Sequence, residues 1–273
     1  MTLTVHPHME QRSDEWLTAR RGIVTASVIG NLITMRKLTG IDYTCPACDA
    51  HPQKPCKAKR GDGTIKTLHP ERTEFARKQP SSTVIEPASN DESRSLTMHL
   101  AAERINGWTE DTYINNDMGR GIDSEPIARN LYAEKYAPVI EVGLMVLERD
   151  GFRLGYSPDG LVGDDGLIEI KAPRAKGHLT TILAGHPPLD YMPQLQAGLL
   201  VSGRKWIDFV SFHGGMPLYV KRVYPDRRWF DAITKAAQAF EHNITEIIRI
   251  YDEAVQGLHQ TERQIDITQG LVI

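Results

Sequence analysis

The stretch Ser157-Pro158-Asp159-Gly160, followed after a short turn by Glu169-Ile170-Lys171, constrains this chain more than any other. Pro158 cannot donate to a strand ladder and Gly160 permits a tight bend, so a strand arriving through Phe152–Tyr156 ends here. Leu161-Val162 begins the next strand, Gly163-Asp164-Asp165-Gly166 turns it, and residues 167–171 form its partner. Residues two apart in a strand share a face, so Glu169 and Lys171 point the same way and Ile170 is buried opposite. The turn brings Asp159 back beside Glu169, and two close carboxylates repel unless a cation lies between them. Oxygen donors select a hard ion, Mg2+ or Mn2+. Such an ion meets two needs of phosphodiester hydrolysis, charge stabilisation on phosphate and activation of a water. Lys171, kept protonated by its acidic neighbours, orients that water or stabilises developing charge. An isolated Glu-x-Lys is equally a strand-edge ion pair; the Pro-Asp upstream is what distinguishes this one.

The other segments read as supports. Ser13 caps a short helix to Arg21, and Thr25 is expected to cap a second helix through Ile33, with Val28, Ile29, Leu32 and Ile33 on one face. Arg20 and Arg21 then lie beside a helix N-terminus, a corner that can hold a phosphate or simply complement a helix dipole. A helix is expected over 96–105, and another from an N-cap at Ser124 to Tyr136, with Pro126 in its first turn and Glu125 at its positive end. Strands follow over 139–148 and 152–156, joined at Asp150-Gly151, then a helix over 190–202, strands over 206–213 and 218–224, and a long helix over 226–257. This order predicts an α/β fold with a mixed central sheet flanked by helices.

Between Met35 and Ser93 helical periodicity gives way to Pro, Lys, Arg and Gly, as in an inserted module with a polar linker over 79–93. Cys45 and Cys48 have zinc-knuckle spacing, Cys56 follows, and His69 supplies a fourth ligand; His51 is an alternative that would strain the loop. Three thiolates and an imidazole close a tetrahedral structural Zn2+ site. Solvated free thiols are the plain alternative, but the loop has too little apolar content to fold without a staple. Lys54, Lys57, Lys59, Arg60, Lys66, Arg72, Arg77 and Lys78 outnumber Asp62, Glu71 and Glu74, which fits either contact with phosphate backbone or a solvated face. The arrangement resembles small CxxC…C…H zinc modules of phage-type DNA-handling proteins. The whole-chain charge of −3 carries no such signal, so charge is informative only locally.

No apolar run is long enough to span a membrane, and the N-terminus lacks a basic region followed by an apolar one, so a cytoplasmic protein, in a bacterial host or phage-infected cell, is expected. Three clustered cysteines likewise suit a reducing compartment.

SPDG followed by LIEIK resembles the PD-(D/E)xK nuclease signature, and the chain is more narrowly similar to the phage lambda exonuclease and YqaJ viral recombinase family. The similarity lies in EWLTARRGIVTAS, GRGIDSEPIAR, GYSPDGLV, GLIEIKAP and YMPQLQAGLLVSGRKW. It implies a restriction-endonuclease-like core over 1–34 and 94–273, interrupted by a zinc module over 35–93. It further implies that Asp159, Glu169, Glu125 and the Ile170 carbonyl hold the metal, that Lys171 acts on the water, and that Gln194 and Tyr191 position water or substrate. Arg20, Ser27 and Ser157 match positions around a terminal 5′-phosphate. The resemblance also implies 5′ to 3′ resection of duplex DNA ends, a single-strand annealing partner and a ring trimer. Two departures stand out. Gly198 occupies the tyrosine position of the QhxxY pattern of helicase-linked nucleases, which favours the recombinase-type branch, and the zinc insertion puts a simple copy of the trimer in doubt. The competing expectations are a sequence- or structure-directed endonuclease and a catalytically silent, zinc-bearing DNA-binding protein.

Overall fold

The computed structural model describes residues 1–58, 60–61, 63–110 and 115–261; Lys59, Asp62, residues 111–114 and the tail from 262 onward lie outside the described residues. In chain order the elements are β1 (Thr2–His6), α1 (Asp14–Arg20), β2 (Val24–Thr25), β3 (Ile33–Lys37), α2 (Pro70–Lys78), β4 (Thr83–Pro87), α3 (Asp91–Asn106) and α4 (Asn116–Lys135). They continue with β5 (Leu144–Arg149), β6 (Phe152–Tyr156), β7 (Gly160–Val162), β8 (Gly166–Lys171), α5 (Ala175–Ala184), α6 (Met192–Ser202), β9 (Trp206–Ser211), β10 (Tyr219–Val223) and α7 (Arg227–Ala254).

The expected mixed α/β architecture is present, with its strands divided between two four-stranded sheets of order β1-β5-β6-β2 and β10-β9-β8-β7, and a β3-β4 ribbon. Each large sheet is mixed: β2 runs parallel to β6 and β8 parallel to β9, while the other pairs are antiparallel. The β8–β9 pair is parallel because α5 and α6 carry the chain back between them. Asp150 and Gly151 both have positive φ, 48° and 81°, as a two-residue hairpin turn that matches strand twist requires.

Alternation along β8 sets the core. Leu167 packs with Leu195, Leu199, Ile207 and Phe209 into the main core, whereas Ile168 and Ile170 join Val210, Ala128 and Tyr132 beneath α4. Both faces of this sheet are thus covered, and the rigid strand carrying Glu169 and Lys171 lies between α4 and α6. The amphipathic α7 closes the main core with Trp229, Ile233, Phe240 and Ile244.

Several local expectations are corrected. The helix expected from Thr25 to Ile33 does not form. Val24 and Thr25 pair with Leu154 and Gly155, the Ala26 N–H reaches the Gly155 carbonyl at 2.7 Å, and only a 3-10 turn over Ile29–Leu32 follows. Helical spacing there was real, but β-branched Val24 and Thr25 gain more from completing the sheet edge. The helix expected to start at Ser124 begins at Asn116, where the Asn115 side chain accepts the N–H groups of Asp117 and Met118. Pro126 therefore lies inside α4 and Glu125 sits mid-helix, so the helix dipole does not hold its charge. The strand expected from Val139 starts at Leu144, and β1 and α5 are additional elements. The segment over 35–93 contains α2, and its polar end contains β4 and the start of α3, whose cap is Asn90. Among the described residues no helix is long and apolar enough to cross a membrane.

Candidate active site and zinc module

Gly160 pairs with Ile168 and Leu161 with Leu167, which brings Asp159 level with the Glu169–Ile170 peptide. The Asp159 carboxylate accepts the Ile170 N–H at 2.6 Å. Glu169 is 2% exposed, and both of its oxygens are engaged. Oε1 accepts from Lys171 Nζ at 2.8 Å and from the Gln194 amide, and Oε2 accepts the Tyr156 hydroxyl at 3.1 Å. Gln194 closes the triangle, since its carbonyl accepts from Lys171 Nζ at 3.0 Å. The Lys171 ammonium lies 5.5 Å from the centre of the Tyr191 ring, which stacks on Phe209.

Burial, and then the charges of Glu169 and Glu125, push the Asp159 carboxyl well above the usual carboxylate range, against the pull of Lys171 and the Ile170 N–H. Burial alone would lower the Lys171 pKa, but Glu169 and Asp159 outweigh it and raise it, so the ammonium stays charged. Burial also holds the Tyr156 phenol well above its ordinary value, helped by Glu169 and Asp159, so it remains a donor. Asp159 is thus a carboxylate short of positive charge, and the oxygen donors of Asp159, Glu169 and the Ile170 carbonyl suit a hard divalent cation.

Glu125 is less closely joined to the pair. Its carboxylate is held by Arg129 and lies 3.7 Å from Arg12, while Arg129 also donates to the Asp159 carbonyl at 2.7 Å and meets Glu141 at 2.8 Å. Arg129 therefore ties α4 to the end of the SPDG turn.

Arg20, Ser27 and Ser157 meet through residues the sequence reading had not put in the site. The Arg20 guanidinium stacks 3.8 Å from the Trp16 ring centre, and Trp16 Nε1 donates to Ser157 Oγ at 2.9 Å. Arg20 also donates to Thr25 Oγ1 at 3.1 Å, which shares a hydrogen bond with Ser27 Oγ at 3.0 Å. Arg20 Nε is buried without a partner, and burial lowers the guanidinium pKa to about 10 despite Glu103. A half-buried, under-satisfied guanidinium beside three hydroxyls suits an anion. Arg21 is not part of this group, and the helix N-terminus expected beside it is absent. All nine catalytic and substrate residues anticipated from the sequence line one cleft of about 710 Å³, with Trp16, Thr25, Tyr156, Arg120 and Arg174.

In the cysteine-bearing segment, one ligand atom each from Cys45, Cys48, Cys56 and His69 lie within 4.8 Å of one another. Among the described residues this is the group of three or more His, Cys, Asp or Glu gathered so tightly; the carboxylates of the cleft are looser. His51 is outside it. Cys45, Cys56 and His69 are buried, His69 directly precedes α2, and its Nε2 has no hydrogen-bond partner. The donor set and spacing fit a closed Zn2+ site. Backbone N–H groups of Lys57 and His69 reach Cys48 and Cys56 Sγ at 3.4 and 3.5 Å. These contacts help lower both thiols against the upward push of burial, while burial raises Cys45.

Arg72, counted above among the basic residues, is fully buried. It donates to the carbonyls of Tyr43, Lys54, Ile41 and His51 at 2.8–3.1 Å and to Cys56 Sγ at 3.5 Å. It is the hub of the module, and nothing in a basic stretch marks one arginine as buried.

Two family models match the chain: "YqaJ-like viral recombinase domain" over residues 75–205 and "Putative DNA-binding phage zinc finger domain" over residues 10–88. Among solved structures, an alkaline exonuclease (LHK-Exo) from Laribacter hongkongensis is 28% identical, with 90% of this chain and 100% of that chain covered and a TM-score of 0.62. The same exonuclease in complex with dAMP is 27% identical over the same shares, with a TM-score of 0.62. No curated protein matches.

Proposed function

We propose that this chain, which carries a YqaJ-like viral recombinase domain over residues 75–205, is a metal-dependent DNA exonuclease that resects linear duplexes from their 5′ ends. The observation that carries the reading is the joining of Asp159, Glu169, Lys171 and Gln194 in one cleft with the half-buried Arg20. The likeness to an alkaline exonuclease supports nuclease chemistry. On this reading residues 1–34 and 94–273 form the nuclease domain, and 35–93 a zinc module whose exposed basic residues meet DNA backbone.

A Mg2+ or Mn2+ ion held by Asp159, Glu169, the Ile170 carbonyl and Glu125 would neutralise phosphate charge and activate water. The chain's own groups do the rest. Lys171, charged and fixed by Glu169 and Gln194, donates to the attacking water or to the phosphate oxygen on which charge develops. Gln194, bonded to both Lys171 and Glu169, keeps these groups in register. Arg20, with Ser27 and Ser157, receives a terminal 5′-phosphate, and Tyr191 offers a ring edge to the terminal nucleotide. The single strand left behind would pass to an annealing partner in the cytoplasm of a phage-infected cell, the enzyme working as a ring-forming oligomer.

Linear and covalently closed duplexes, incubated with Mg2+ and the zinc-loaded protein, test this. Release of mononucleotides from linear DNA alone supports end resection. Cutting of the closed circle points to an endonuclease, and no hydrolysis of either would remove the enzymatic reading.

A further inference from the structure

Tyr156 lies directly before the SPDG turn, at the end of β6, and is fully enclosed. Its hydroxyl is the sole hydrogen-bond partner found for Glu169 Oε2 among the described residues, whereas Oε1 is shared by Lys171 and Gln194. The opposite wall of the ring's slot is Gly198, one helical turn after Gln194 on α6. A Cβ at Gly198 would lie 2.7 Å from Tyr156 Cζ, the carbon that bears the hydroxyl. Gly198 is not in the left-handed region, so its backbone conformation does not call for glycine; the space does. The phenol therefore occupies the room that any side chain at position 198 would need.

We propose that Tyr156 is a positioning residue for the metal-binding carboxylate, fixing Glu169 through Oε2, and that Gly198 exists to admit its ring. This rests on the reading of the cleft as a metal-dependent nuclease centre. A carboxylate held from both oxygens has one rotamer to offer an incoming cation, and outer partners of this kind commonly contribute about 10–100-fold to metal affinity or activity. The phenol cannot itself take over as base, because burial beside two carboxylates keeps it protonated. The sequence departure at Gly198 and the hydroxyl on Glu169 are then two sides of one arrangement, in which a strand supplies what a helix tyrosine could have supplied.

Calorimetric Mn2+ binding to the zinc-loaded protein, read beside hydrolysis of linear duplex, tests this on Tyr156→Phe, Gly198→Ala and Asp159→Asn. Tyr156→Phe keeps the ring and its packing and removes only the hydroxyl, so an unchanged melting temperature of the zinc-loaded protein without Mn2+ controls for folding. Weakening of Mn2+ binding by about tenfold or more in both Tyr156→Phe and Gly198→Ala supports the proposal. Mn2+ affinity within twofold of wild type in Tyr156→Phe overturns it. Asp159→Asn separates the two layers: if it leaves Mn2+ binding intact, the metal-centre reading itself fails, whatever Tyr156 does.

Discussion

Asp159 Oδ2 accepts the Ile170 N–H at 2.6 Å, so the end of one strand and the body of another are locked together at the point where two carboxylates meet. The hydrogen bond holds in place a charge that the surroundings oppose. Burial, Glu169 and Glu125 all raise the Asp159 pKa, against the pull of Lys171 and that N–H.

A consequence is that the site is a stability cost in the absence of metal. A carboxyl whose pKa is raised on folding contributes stability that is fully present below its unfolded pKa and is lost as pH rises through the folded value. In the zinc-loaded protein without added Mg2+ or Mn2+, wild-type stability should therefore fall as pH rises from the ordinary carboxylate range toward neutrality. Asp159→Asn should abolish hydrolysis, by about 10³-fold or more, yet melt higher than wild type at neutral pH without added Mn2+. Thermal melts across pH, with and without Mn2+, check this; an Asp159→Asn protein that melts lower than wild type without Mn2+ would contradict it.

Gln194 joins Glu169 to Lys171 from a separate helix. Gln194→Ala should leave the fold intact and lower kcat by about 10–100-fold, with little change in KM for DNA, because the lost contacts position reacting groups. Steady-state kinetics on a linear duplex decide between this and a substrate-binding role, which would move KM instead.

The hairpin was legible in the sequence because a turn, a two-residue alternation and an acidic pair all agree there, and the cluster of Cys45, Cys48, Cys56 and His69 was legible because its spacing is sparse and its chemistry narrow. The register of β7 on β8 follows from the same alternation that buries Ile168 and Ile170. The start of α4 was not legible. Gly119, Gly121 and Pro126 all argue against a helix there, yet the Asn115 cap and packing of Ala128 and Tyr132 against β8 carry it through. Thr25 misled for the converse reason, since a good cap residue was claimed by a parallel strand. Tyr156, Trp16 and Arg72 were missed because their roles depend on partners far away in sequence.

Arg72 should be as necessary to the zinc module as its ligands. Zn2+ with three thiolates and a neutral imidazole carries one net negative charge, and the Arg72 guanidinium lies against Cys56 while satisfying four carbonyls. Arg72→Met should destabilise the module by about 3–5 kcal/mol, through carbonyls left unpaired and an uncompensated charge. Zinc content and chelator sensitivity report it: Arg72→Met and Cys45→Ser should both lose zinc readily, whereas His51→Ala should retain it. Full retention in Cys45→Ser would refute the ligand set.

The corner that holds Arg20 depends on α3. Glu103 accepts the Gly22 N–H at 2.7 Å and Arg104 Nε donates to the Gly22 carbonyl at 2.7 Å, which fixes the turn two residues after Arg20. Gly22 has a φ of 63°, and a Cβ there would meet Arg104 at 2.3 Å. Gly22→Ala should therefore disturb Arg20 and, like Arg20→Ala, reduce the preference for a 5′-phosphate over a 5′-hydroxyl. The loss of one charge-assisted contact corresponds to about 10–100-fold. Competition between the two duplex ends measures it, and an unchanged preference in Arg20→Ala would remove Arg20 from the phosphate site.

On the proposed function, this cleft hydrolyses DNA from a 5′ end with a divalent metal held at Asp159 and Glu169. The most direct measurement is a Mg2+ titration of hydrolysis on a duplex with one 5′-phosphorylated end, the other end blocked, and distinct labels on the two strands. The expected result is Mg2+-dependent, stepwise loss of the 5′-phosphorylated strand from its terminus, absent without added Mg2+ and in Asp159→Asn. Loss of the opposite strand first, or hydrolysis unaffected by Asp159→Asn, would contradict it.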